Sequence, residues 1–145
     1  MKRQVTIALA CLLLTPTAFA QSNTLTDREQ IKAAMECFYQ WDLHGGAEHS
    51  SQCIAPTVLY HRIDQDGQHS YGTPPLDNET GKGADAVIHN LLDIDIYNDM
   101  AVVTSLHRYQ PEAPQNTYVK NIVLYKLADG WRITNVTWGR VTNRQ

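Results

Sequence analysis

The stretch from Leu92 to Trp138 constrains this chain more than any other. It holds the runs Ile94 to Val103, Tyr118 to Leu127 and Trp131-Arg132-Ile133, rich in β-branched and aromatic residues. Asn98-Asp99, Pro111 to Asn116, and Asp129-Gly130 interrupt or bound these runs. Short strand-like runs separated by turn residues predict an antiparallel meander of three strands. Far upstream, Ile31, Ala34, Met35, Phe38 and Trp41 recur at helical spacing and form one apolar face. Thr26-Asp27-Arg28-Glu29 has the form of a capping box before that helix, and Gly45-Gly46 stops it. A helix first and a long meander last is an α+β order. A curved antiparallel sheet is therefore expected to wrap around the Thr26 to Leu43 helix, with Met35 and Phe38 buried.

The segment between helix and meander is less regular. Ala47 to Cys53 reads as a short second helix closed off by Pro56, and Thr57 to Ile63 as a strand. Asp66-Gly67 marks a hairpin turn, with Gln68 to Tyr71 as its return strand. Gly72 to Gly83 is a polar loop containing Pro74-Pro75. Ala84 to Leu91 reads as a third short helix, with Val87, Ile88 and Leu91 on one side.

The N-terminus speaks to compartment. Lys2 and Arg3 precede the apolar run Val5 to Leu14, and Ala18-Phe19-Ala20 has the small-x-small form of a cleavage site before Gln21. Residues 1–20 thus read as a secretory signal peptide, and residues 21–145 as one exported domain, periplasmic or secreted. Pro16 and Thr17 break the apolar run and disfavour a membrane anchor, and no second apolar span follows. The whole sequence carries a formal charge of −3, and removing Lys2 and Arg3 makes it more acidic. No stretch clusters lysine or arginine, so neither nucleic acid nor anionic lipid is an expected partner.

Cys37 and Cys53 remain after processing. In an oxidising compartment the pair is expected to bridge, although two separate thiols are also compatible with the sequence. No cysteine or histidine spacing resembles a zinc site, and no metal or cofactor is expected.

Glu29 to Trp41, Ile94 to Val103, and Tyr118 to Ile133 ending in Asp-Gly-Trp-Arg-Ile carry a resemblance, supported by Pro56 before the first strand. Together they resemble the nuclear-transport-factor-two-like superfamily, most closely its polyketide-cyclase-like and lumazine-binding groups. The resemblance implies a cone, in which a curved sheet encloses helices and leaves an apolar pocket open at one end. It also implies homodimers paired through the sheet. It leaves activity open, because isomerases, dehydratases, cyclases and non-catalytic binding domains share the fold.

His107 and Tyr109 are two apart and share a strand face with Ala101, Val103 and Ser105. That face runs from small and apolar to polar, as the wall of a cavity would. His61 and Tyr60 are adjacent and face opposite ways. His89, on the third helix, could point either way, and Asp93 and Asp95 should face solvent if Ile94 and Ile96 face the core. The expected ligand-binding residues are Phe38, Trp41, Tyr60, His107, Tyr109 and Trp138, with the polar tips near the cavity opening. No catalytic residue can be assigned. Three functions follow: an exported domain binding a small apolar or aromatic ligand, a lyase or isomerase using His or Asp, or a dimerisation module with a filled cone.

Overall fold

Helix α1 spans Asp27–His44. The computed structural model of the protein, which describes residues 25–64, 66–74, 88–109 and 117–141, contains the capping box expected before this helix. Thr26 Oγ1 accepts from the Glu29 amide at 3.3 Å, and the Glu29 carboxylate accepts from the Thr26 amide at 2.8 Å. At the other end Gly45 takes φ 74°, which favours glycine, and donates to the Trp41 carbonyl at 2.8 Å. The signal peptide read at 1–20 lies outside the described residues, as do positions 75–83 of the polar loop.

Helix α2 spans Ala47–Cys53, as expected. A disulfide joins Cys53 to Cys37 of α1, with Cα atoms 6.0 Å apart. Strand β1, Ile54–Ile63, follows at once, so Pro56 lies inside the strand and does not close the helix. The β1 ladder is irregular between Ile54 and Leu59, and proline costs no ladder bond in that gap. Strand β2, His69–Gly72, returns antiparallel to β1.

Four further strands form the meander: β3 (Ile88–Tyr97), β4 (Met100–Arg108), β5 (Thr117–Leu127) and β6 (Gly130–Arg140). From sequence, three strands are expected here, with Ala84 to Leu91 as a helix. Residues 88–91 are instead the start of β3, with His89 opposite His107. A short apolar run fits either period, and backbone pairing with β4 decides it. Residues 84–87 lie outside the described residues.

The sheet order is β2-β1-β6-β5-β4-β3. It is not wholly antiparallel, as the sequence suggested, because β1 runs parallel to β6. Register shifts in β1, in β3 at Leu91/Asp93 and in the β5–β6 pair at Val123/Leu124 bend the sheet. The bend brings Val58, Ile94, Val103, Ile122 and Ile133 from five strands against Ile31, Met35 and Phe38 of α1. Burying each such side chain stabilises the fold by roughly 1.5–3 kcal/mol.

Both ends of α1 are tied to the sheet by polar contacts. Near its start, Asp27 accepts from Lys126 Nζ at 2.7 Å and from Trp131 Nε1 at 3.1 Å. The Lys126 bond first, then the Trp131 bond, hold the Asp27 carboxyl below the usual carboxylate range. Arg28 Nη2 donates to the Ile94 carbonyl at 3.0 Å. The contact near its other end is the site described next.

Candidate functional site

Cross-strand pairs place their side chains on one face of the sheet. One inward rung runs Tyr60–Val136–Ile122–Val103–Ile94 and is almost wholly apolar. The next runs Trp138–Lys120–Ser105, and the one beyond it Arg140–Tyr118–His107–His89. The concave face therefore turns polar within two rungs. The last two turns of α1 lie against that polar end and contribute Phe38, Tyr39, Trp41 and Asp42.

Asp42 is the centre of the cluster. Its Oδ2 accepts from the Tyr109 hydroxyl at 2.6 Å and from Lys120 Nζ at 2.8 Å, and His107 Nδ1 lies 3.9 Å away. Asp42 is 7% exposed, Lys120 3% and His107 0%. A carboxylate in the last turn of a helix also meets the negative end of the helix dipole. It is tolerated here because Lys120 neutralises it directly and Tyr109 adds a charge-assisted hydrogen bond. Lys120 Nζ also lies 5.0 Å above the Phe38 ring and 5.4 Å from the Tyr109 ring centroid.

An imidazole chain leads away from the carboxylate. His107 Nε2 is 2.8 Å from Ser105 Oγ, and His107 Nδ1 is 3.0 Å from His89 Nδ1. Tyr39 stacks on His89 with ring centroids 4.2 Å apart and 16° between planes. Burial chiefly, with the Lys120 charge adding to it, lowers the His89 pKa to about 4, so this imidazole is neutral at pH 7. The tyrosines move the other way. Burial pushes Tyr39 up to about 12, against a smaller lowering from Ser105. Burial, then the Asp42 charge, raises Tyr60 and Tyr109 further. All three hydroxyls stay protonated, and that of Tyr109 donates to Asp42.

Three polar atoms lack a hydrogen-bond partner among the described residues: Tyr39 Oη, Tyr60 Oη and His89 Nε2, all buried. Tyr39 Oη is near enough to Ser105 to feel it, but the pair does not have hydrogen-bond geometry. A buried polar atom left alone costs about 1–3 kcal/mol, so three in one region is unusual.

The residues expected from sequence are brought together. Phe38, Trp41, Tyr60, His107, Tyr109 and Trp138 form a connected set, with Trp41 6.3 Å and Trp138 5.2 Å from the Tyr60 ring centroid. His107 does not sit near an opening, however. It is fully buried, because its rung lies beneath α1. His89 belongs to a strand and joins the cluster. Asp93 and Asp95 are exposed and lie outside it, and His44 and His69 are exposed too. His61 faces away from Tyr60 and stacks on Tyr71, at 4.4 Å between centroids. Among the described residues, no group of three or more His, Cys, Asp or Glu side chains is placed to hold a metal ion.

Asp42 and Lys120 were not singled out from sequence. The signal was present. Asp42 continues the α1 stripe at seven residues from Met35 and four from Phe38, and Lys120 continues the inward alternation of Ile122 and Leu124. Opposite charges on two core-facing positions are the trace of a buried pair.

An open, curved mixed sheet of six strands around one long helix defines the class of protein, and solved structures define it more narrowly. An NTF2-like protein of unknown function from Methylobacillus flagellatus superposes with TM-score 0.65 at 16% identity, over 83% of this chain and 97% of its own. One from Shewanella baltica gives TM-score 0.65 at 12% identity, over 83% and 100%. A proposed dehydratase of the NTF2-like family from Streptomyces avermitilis gives 0.52 at 18% identity, over 80% and 96%. Neither a protein-family model nor a curated protein sequence matches the chain. The chain has the nuclear-transport-factor-two-like fold.

Proposed function

We propose that this chain is an exported small-molecule-binding domain whose ligand sits in the cone against the Asp42 cluster. The observation that carries the reading is the set of three buried, unpartnered atoms, Tyr39 Oη, Tyr60 Oη and His89 Nε2. A ligand with polar groups offsets their desolvation, while Phe38, Trp41 and Trp138 offer it aromatic contact. The ligand is thus a small aromatic or otherwise planar molecule with polar groups, not a purely apolar one. The finer likeness to polyketide-cyclase-like and lumazine-binding groups belongs to this proposal. So does a homodimer through the convex face of the sheet, where Tyr97 and Tyr125 are exposed. The Cys37–Cys53 bridge, and the lack of any described helix long and apolar enough to cross a membrane, are compatible with export.

A second reading, an acid–base lyase or isomerase, is favoured by one arrangement. His107 lies between a carboxylate and a second, neutral imidazole, which is a set able to move a proton. The Streptomyces avermitilis relative is in keeping with it.

Native mass spectrometry of the protein isolated from its own periplasm, with Tyr60→Phe beside it, tests the binding reading. Wild type should carry an adduct lost on denaturation. Tyr60→Phe should carry less of it while becoming more stable, since a buried unpaired hydroxyl has been removed. Bare masses in both samples would sink the reading and leave the acid–base enzyme and the filled-cone dimerisation module.

A further inference from the structure

The Ser105–His107–His89 chain can be wired in two ways. A neutral imidazole has one proton, so its two nitrogens play opposite roles. With the His107 proton on Nδ1, His107 donates to His89 Nδ1, Ser105 donates to His107 Nε2, and His89 carries its proton on Nε2. With the His107 proton on Nε2, every bond reverses and His89 Nε2 is a bare acceptor. Both wirings satisfy the observed contacts of 2.8 and 3.0 Å. The Asp42 carboxylate breaks the tie. Its Oδ2 is 3.9 Å from His107 Nδ1, where negative charge attracts an N–H and repels a lone pair.

We propose that Asp42, acting through His107, fixes His89 as the Nε2–H tautomer, and that this buried N–H binds a carbonyl oxygen of an uncharged ligand. Several features agree with that ligand class. Tyr39 covers one face of the His89 ring, and the buried His89 Nε2 has no hydrogen-bond partner among the described residues. The Tyr39 and Tyr60 hydroxyls are donors as well, so three donors await acceptors. Lys120 is paired with Asp42 at 2.8 Å, so its charge is already matched by a carboxylate. A ketone, quinone or amide carbonyl meets these conditions. Asp42 and His107 are positioning residues in this scheme, and His89 is the contact. The ligand class rests on the cone-binding reading; the wiring does not.

Two-bond ¹H–¹⁵N NMR of the full chain labelled with ¹⁵N-histidine, at pH 7, reads each tautomer directly, and His89→Gln and His107→Gln assign the signals. Wild type should show His89 protonated on Nε2 and His107 on Nδ1. Ser105→Ala should keep that pattern, because Asp42 and not Ser105 sets it. Asp42→Asn should move the His107 proton toward Nε2. If Asp42→Asn does not fold, wild type and Ser105→Ala still decide. His89 protonated on Nδ1 in wild type, or a reversal in Ser105→Ala, overturns the wiring. Titration with 4-hydroxyacetophenone and with 4-ethylphenol, which lacks the carbonyl, then tests the ligand class. The ketone should shift the His89 Nε2 signal at about tenfold lower concentration, the scale of one buried hydrogen bond. Equal responses overturn the carbonyl assignment alone. No response of His89 to either probe counts against the cone-binding reading, whatever the tautomer.

Discussion

Lys120→Met tests the buried ion pair at the centre of the site. Lys120 and Asp42 are 3% and 7% exposed and meet at 2.8 Å, so neither charge has water to fall back on. Removing Lys120 takes the ammonium at 2.8 Å from the Asp42 carboxylate, which lies in a helix C-terminal turn. Breaking a buried pair on one side costs about 3–5 kcal/mol, and Asp42→Asn should cost a similar amount by taking the carboxylate from beside the ammonium. The double variant buries neither charge of the pair. It should lose about 2–4 kcal/mol, well short of the sum, leaving a coupling of about 3 kcal/mol or more. Urea unfolding at pH 7, with the disulfide intact, reads each value. With a slope of about 2 kcal/mol per molar, each single variant should unfold roughly 2 M earlier than wild type. Single losses below about 1 kcal/mol would mean a solvated pair of surface type. Additive losses would mean that the two charges do not depend on each other. Either result refutes the reasoning.

Other measurements bear on the rest of the molecule. His89 is held near pKa 4 against an ordinary 6.5, so between these values the unfolded chain binds more protons than the folded one. Stability should therefore be full above about pH 6.5 and fall as pH drops toward 4, and His89→Gln should flatten that slope in a urea series across pH. Asp27 acts in a lower window. Its depressed pKa gives stability present above the unfolded value and lost as pH falls through the folded one, and Asp27→Asn should remove that acid-limb loss. Reduction of the Cys37–Cys53 bridge, at a sequence separation of 16, should cost about 3 kcal/mol, read as the shift in urea midpoint with and without a phosphine reductant. Thr26→Ala removes one half of the capping box and should cost about 1 kcal/mol by the same assay.

Local signals explain why part of the fold was legible. The α1 cap, its stripe and its glycine stop are all encoded within a few residues, so its limits could be read to within one residue. The α2 limits and the Asn98-Asp99 and Asp129-Gly130 turns were equally local; Asn98 takes φ 54°, a left-handed value asparagine tolerates better than most residues. Alternation along a strand is also local, so the residues sharing a face with His107, and the opposition of Tyr60 and His61, could be read, while which face is concave could not. The bridge could be named because reading residues 1–20 as a signal peptide leaves one pair of cysteines.

Other features depended on partners distant in sequence. Nothing in Ile88 to Leu91 distinguishes a helix turn from a strand; the β4 ladder does. Nothing in Thr57 to Ile63 says that the strand will lie parallel to β6, which comes about seventy residues later. The site shows the same division. Sequence alone determined which residue types share a face of α1, β1, β4 and β6, because helical and strand periods are properties of a single segment. Only the tertiary structure decided that Asp42, Lys120, His89 and the His107–Tyr109 pair meet, since they come from α1, β5, β3 and the end of β4. A charge on an apolar stripe looks like an error until the fold supplies its counter-charge, and burial then makes that pairing obligatory.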